Sequence, residues 1–252
     1  MKLIVCKNKK EASYLAKDMM LKVIKNKPTC TLGLATGSSP IDLYQLLVED
    51  HLTHGTDYID VKTFNLDEYC GLNASHPQSY YKFMNDHLFS KINIDPSNIH
   101  IPVGIGDVQA SADHYNELLS HTTIDLQLLG VGSNGHIGFN EPGTSRDSVT
   151  HVVDLKESTI NDNARLFFNG DKSAVPKQAI SMGIKNIMDA KKIIVLAFGE
   201  SKQNVIERLF NHEDSLDLPI SCLLHHPDVT LIVDEKAVEK LNIKEKEIEL
   251  TC

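Results

Sequence analysis

Leu128-Leu-Gly-Val-Gly-Ser-Asn-Gly-His-Ile-Gly-Phe-Asn-Glu-Pro142 is the stretch whose reading decides the fold. It ends an apolar run, residues 125–131, that stops abruptly in a loop of glycines around Asn134, His136 and Glu141. The run does not alternate strictly between polar and apolar residues, which is how a parallel strand covered on both faces reads. Gly130, Gly132, Gly135 and Gly138 permit a tight turn with close backbone approach, and Pro142 closes the segment. An imidazole, a carboxylate and a carboxamide set among those glycines are groups that move or orient protons at neutral pH. Asn and Gly are also ordinary turn formers. Their concentration with His136 and Glu141 at the end of a buried strand favours a site.

Outward from this loop, short apolar runs alternate with amphipathic stretches. Strands are expected at residues 2–6, 29–35, 61–66, 98–103, 192–198 and 229–234. Helices are expected at 10–25, from Ile41 to about Glu49, from Tyr80, at 107–121, 158–168 and 184–190, after Lys202 and from Glu235. This order, without an internal repeat, predicts one α/β domain over residues 1–252, a doubly wound, mainly parallel sheet with helices on both faces. The polar connection at 143–175 is a candidate lid, and the alternating charges of 244–249 read as a solvated end. The stretch 49–60, with His51 and His54, reads as a solvated loop rather than a metal site, and no metal is expected elsewhere.

Bulk properties exclude several classes. A net charge of −9 and a pI near 5.7, with no cluster of Lys and Arg, disfavour a nucleic-acid surface. Any anionic substrate must be captured locally, by backbone amides and a few cations. The cysteines Cys6, Cys30, Cys70, Cys222 and Cys252 form an odd set with no CxxC pair, which fits a reducing cytoplasm. No run approaches membrane-spanning length, and no signal peptide is evident, so a soluble intracellular protein is expected.

Further strand ends carry chemistry. Thr36-Gly-Ser-Ser-Pro40 joins a strand to a helix start, where hydroxyls, free amides and the positive end of the helix dipole suit a phosphate. From that segment taken alone, plain helix capping by Ser38 and Ser39, which needs no ligand, is the preferred reading. Asp67 and Glu68 follow a buried strand at the position where open α/β sheets place ligands. Adjacent acids there are unfavourable without partners or a task, so function is weighted above a structural cap. In Gly199-Glu-Ser-Lys202, Ser201 can cap the next helix, and Lys202 lies in a first helical turn, where a cation opposes the dipole unless an anion is near. A plain surface lysine is the alternative.

With these pieces located, the chain resembles the glucosamine-6-phosphate deaminase family over nearly its whole length. The resemblance is carried by Leu34-Ala-Thr-Gly-Ser-Ser-Pro40, Phe64-Asn-Leu-Asp-Glu-Tyr69, His76-Pro-Gln-Ser-Tyr80, Gly130 to Pro142, Val175-Pro-Lys-Gln-Ala179 and Phe198-Gly-Glu-Ser-Lys202. It implies a Rossmann-like fold and an aldose–ketose isomerisation that releases ammonia from glucosamine 6-phosphate, with no cofactor. It further implies that Asp67 moves the C2 proton and that His136, with Glu141 and Asn134, serves ring opening. The phosphate would be held by Thr36, Gly37, Ser38, Ser39, Arg165 and Lys202. The implied partner is a small sugar phosphate, with neither nucleic acid nor membrane. Relatives of this kind include hexamers and smaller forms, so a homo-oligomer is possible on this resemblance, and the surface pattern selects no subunit number.

Two departures stand out. Asn134 occupies a place where several deaminases have Asp; a carboxamide orients His136 without sharing charge. Members activated by N-acetylglucosamine 6-phosphate carry basic residues after the Asn-Glu-Pro turn, whereas this chain has Thr150-His-Val-Val-Asp154, so activation is expected to be weak or absent. Competing readings are a 6-phosphogluconolactonase, which has no use for a C2 proton carrier, and a non-catalytic sugar-phosphate-sensing domain, which should carry a DNA-binding module.

Overall fold

A computed structural model describes residues 1–211, 213–239, 241 and 248–251. Its frame is laid down by β1 (Lys2–Cys6), α1 (Lys9–Asn26), β2 (Thr31–Leu34), α2 (Ile41–His54) and β3 (Lys62–Asn65). Then follow β4 (Asp67–Tyr69), α3 (Tyr80–His87), β5 (Ile99–His100), α4 (Val108–Ser120) and β6 (Leu126–Gly130). The second half carries β7 (His151–Asp154), α5 (Glu157–Phe167), β8 (Gln178–Ser181), α6 (Ile184–Met188), β9 (Ile193–Ala197), α7 (Gln203–Phe210), β10 (Val229–Asp234), α8 (Glu235–Val238) and β11 (Ile248–Thr251).

The large sheet has the order β11-β1-β10-β9-β6-β2-β3-β5, and each of its pairings is parallel. Strands β2, β9 and β10 are buried along their whole length, which explains their unbroken apolar runs. The order reverses at the centre, where β6 and β2 are neighbours, so the corners leaving those strands splay apart and open a crevice at their carboxyl ends. The loop after β6 and the Thr36–Pro40 turn are those two corners.

Close backbone approach has a visible cause in the middle of the sheet. A Cβ on Gly33 would lie 2.0 Å from Gln127 Oε1, so only glycine lets the buried glutamine lie across β2. At the amino ends, buried Asp125 is clamped by Lys27 at 2.6 Å, Lys191 at 2.8 Å and the amide of Thr31 at 2.9 Å. These cations hold its carboxyl below the usual carboxylate range against its burial. Cys30 and Cys222 are buried thiols, pushed up to about 11 and about 12, so neither is a ready nucleophile.

Two expectations need correction. Helix α2 runs through residues 49–54, expected as loop, and stops at Gly55, whose φ of 71° ends it in the left-handed conformation. His51 there bonds the carbonyl of Thr56 at 2.8 Å, and His54 lies 3.4 Å from Asp50. A small antiparallel sheet, β4-β8-β7, was not foreseen at all. Most of the charged tail, 244–249, lies outside the described residues.

Candidate active site

Four corners of the large sheet and one helix surround an open cleft of about 170 Å³. From β2 comes the turn Thr36 to Ser39; Gly37 takes a φ of 93°, which glycine adopts without strain. Pro40 is the cap residue of α2, and no side chain caps that helix, so the hydroxyls of Ser38 and Ser39 are not engaged as caps. This removes the plain-capping account of the two serines. Lys9 braces the turn from outside, donating to the carbonyl of Ser38 at 2.9 Å.

From β6 comes the glycine loop. His136 turns back over Gly132, where a Cβ would lie 2.1 Å from His136 Cε1. Asn134 accepts from His136 Nδ1 at 2.7 Å and from the His136 amide at 3.1 Å. Its carboxamide nitrogen donates to Glu141 Oε2 at 2.9 Å. Glu141 can only accept, so it fixes the orientation of the amide; the amide oxygen then requires the hydrogen of His136 on Nδ1. Nε2 keeps its lone pair. Burial lowers the imidazole's proton affinity, and the carboxylate of Glu141, 3.9 Å from Nδ1, works in the other direction. Thr159 of α5 donates to the second oxygen of Glu141.

From β3 and β4 comes Asp67. It pairs with Ser181 across the small sheet, while Met182 donates to the carbonyl of Leu66 at 2.6 Å. Ser181 Oγ accepts from the Phe139 amide at 3.0 Å, and Asn140 donates to the carbonyls of Ile137 and Met182 at 2.8 Å each. The end of β8 therefore pins the strand of Asp67 and the loop of His136 to one another. A Cβ on Gly138 would lie 3.6 Å from Asp67 Oδ2, so the loop backbone passes close to that carboxyl. Both Asp67 and His136 line the cleft.

The two adjacent acids divide their work as strand alternation requires. Glu68 points the other way and accepts amides of Tyr69, Tyr80 and Tyr81 at 2.9, 2.8 and 2.9 Å, which satisfies the amino end of α3. Asp67 takes no hydrogen bond through its carboxyl among the described residues. Burial, with the charge of Glu68 as a smaller cause, pushes it up to about 8.

Lys202 enters from a short 3₁₀ turn after β9, Glu200–Lys202, and lines the cleft. Burial lowers its proton affinity, and Asp162 opposes that shift. Ser201, expected as a helix cap, makes no capping bond to α7. Helix α5 adds Asp162, Asn163, Leu166 and Phe167 to the wall. Asn163 donates to the hydroxyl of Tyr69 at 2.7 Å, and Lys156 donates to the carbonyl of Pro142 at 2.7 Å.

Of the residues expected from sequence, Thr36, Gly37, Ser38, Ser39, Asp67, His136 and Lys202 are brought together on the cleft, with Asn134 and Glu141 directly behind the imidazole. Arg165 is not among the lining residues: its side chain is 70% exposed and pairs with Asp162 at 3.3 Å. Sequence reasoning passed over Thr159, Asp162 and Asn163. Their spacing on one face of α5, at i, i+3 and i+4, was the available signal.

A family model described as glucosamine-6-phosphate isomerases/6-phosphogluconolactonase matches residues 9–232. The chain belongs to that family. Within the glucosamine-6-phosphate isomerase/6-phosphogluconolactonase family, a glucosamine-6-phosphate deaminase of Staphylococcus aureus (strain JH9) is 49% identical over 243 residues, covering 95% of this chain and 96% of the relative. A solved structure of a monomeric glucosamine-6-phosphate deaminase superposes with a TM-score of 0.92 at 43% identity, covering 95% of this chain and 99% of that one. A 6-phosphogluconolactonase from Trypanosoma cruzi has a TM-score of 0.75 at 22% identity, covering 96% and 97%, and shares the fold. The parallel α/β architecture of the family is the one anticipated from the strand runs. Among the described residues no helix is long and apolar enough to cross a membrane.

Proposed function

We propose that this chain is a glucosamine-6-phosphate deaminase of amino-sugar catabolism, acting in the cytoplasm as a single domain and converting glucosamine 6-phosphate to fructose 6-phosphate and ammonia. In class it is a hydrolase of a C–N bond that works through ketol isomerisation. The observation that carries this reading is Asp67, a buried carboxyl without a hydrogen-bond partner among the described residues, on the same cleft as a lone-pair-bearing His136.

The chemistry follows from those groups. Nε2 of His136 takes the anomeric hydroxyl proton of the pyranose and returns a proton to the ring oxygen, so the ring opens to an aldehyde. Asn134 and Glu141 hold the imidazole in the tautomer this needs. The aldehyde acidifies C2–H, and ionised Asp67 removes that proton and delivers it to C1. The resulting C2 imine adds water, and the C–N bond breaks to give the ketone and ammonia. A carboxyl with a proton affinity near working pH suits a group that must both take and give a proton. The substrate's ammonium, arriving beside it, favours the ionised form.

The turn Thr36 to Ser39, with Lys202, holds the phosphate, and the segment 143–175 acts as the lid through α5. N-acetylglucosamine 6-phosphate activates weakly or not at all. The test is ammonia release from glucosamine 6-phosphate, with 6-phosphogluconolactone as the control substrate. Hydrolysis of the lactone without ammonia release from the amino sugar overturns this assignment.

A further inference from the structure

One group on the cleft has no place in that scheme. Asp162 puts a carboxylate among the cations proposed to hold the phosphate: it lines the cleft with Lys202 and with Gly37, Ser38 and Ser39. Its Oδ1 lies 3.3 Å from Arg165 Nη2, one turn along α5, and its Oδ2 accepts from Ser133 Oγ at 3.4 Å. Its charge also works, as a smaller opposing cause, against the burial that lowers the proton affinities of Lys202 and His136.

A carboxylate and a phosphate make the same charge-assisted bonds to Lys and Arg, and two anions drawn to one ammonium repel each other. We propose that Asp162 competes with the phosphate of the incoming sugar for Lys202 and Arg165, and so sets how tightly that end of the substrate is held. Phosphate entry turns Asp162 away, which frees the guanidinium of Arg165 on the next turn to face the anion. This reconciles the exposed, paired position of Arg165 with a role at the phosphate. The competition loosens the grip on the product's phosphate as well, which favours its departure.

This inference rests on the sugar-phosphate reading of the cleft, so its test is a binding measurement independent of turnover. Calorimetric titration with inorganic phosphate and with fructose 6-phosphate compares the unaltered protein with Asp162→Asn and Asp162→Glu. Asp162→Asn should tighten both ligands roughly fivefold or more, the scale of one unit-charge contact near a surface, and leave uncharged fructose unaffected. Asp162→Glu, which keeps the charge, should stay near the original affinity. Unchanged or weaker phosphate binding in Asp162→Asn, or equal tightening by Asp162→Glu, overturns the proposal. Tightening in a protein that releases no ammonia refutes the deaminase reading and leaves this inference standing.

Discussion

Asn134 accepts from His136 at 2.7 Å with its oxygen and donates to Glu141 at 2.9 Å with its nitrogen, so a neutral amide relays orientation between an imidazole and a carboxylate. Replacing that amide by an acid adds charge at unchanged shape. In Asn134→Asp, the new carboxylate beside His136 raises a proton affinity that burial now lowers. The acid limb of the kcat profile, where the bound substrate's ammonium keeps Asp67 ionised, should move up by about one pH unit, with activity at mildly acidic pH falling first. A pH–rate profile checks this; an unmoved limb separates Asn134 from the tuning of His136.

Asp67→Asn keeps the shape of the proton carrier and removes its base. Ammonia release should fall by roughly 10³-fold, within the span of lost general base catalysis. Fructose 6-phosphate should still raise the melting temperature, because the phosphate turn is untouched. Retained turnover removes Asp67 from the mechanism.

The same carboxyl makes stability depend on pH. Its proton affinity rises from an ordinary 3.8 to about 8 on folding. The folded chain thus holds a proton that the unfolded chain has lost; the contribution is complete below the lower value and disappears as pH climbs to the upper one. Asp67→Asn has no such proton to lose. The melting temperature of the variant relative to the parent should therefore climb between pH 5 and 9, by about 3 °C or more. Parallel melting curves across that span contradict the account.

Gly132 is required by the ring above it, since a methyl there would lie 2.1 Å from His136 Cε1. In Gly132→Ala the imidazole swings off Asn134 while the strand beneath keeps its packing. Turnover should drop by about 10²-fold, the scale of a misplaced catalytic group, with little change in melting temperature. A crystal structure of the variant with His136 unmoved would refute this.

The large sheet was legible because its strands are covered on both faces, and burial of that kind leaves continuous apolar runs. The corners were legible as well, since Gly37 and Gly138 are demanded by a positive φ and Gly132 by the ring of His136 above it. The small sheet was not. Asp67–Tyr69, His151–Asp154 and Gln178–Ser181 are short and mixed in character, and their antiparallel pairing joins segments distant in sequence, for which no local pattern exists. For the same reason the acids Asp67 and Glu68 could be placed at a strand end, while their opposite directions could not be read. Helix α5 was expected at 158–168, within the polar connection, and is observed at Glu157–Phe167. That Arg165 faces outward and Asp162 inward depends on which side of the helix docks, and docking is set by Tyr69, Phe139 and Phe168 in the minor core.

Strand β8 has a neighbour on each side: one bears Asp67, and the other launches α5. Ladders of amide bonds are stiff, so the roof over the cleft and the carboxyl in its floor are planks nailed to one beam. Refitting this chamber for a bulkier sugar is accordingly a matter of carving side chains such as Leu166 and Phe167. Lengthening the rafters would drag the floor out of true.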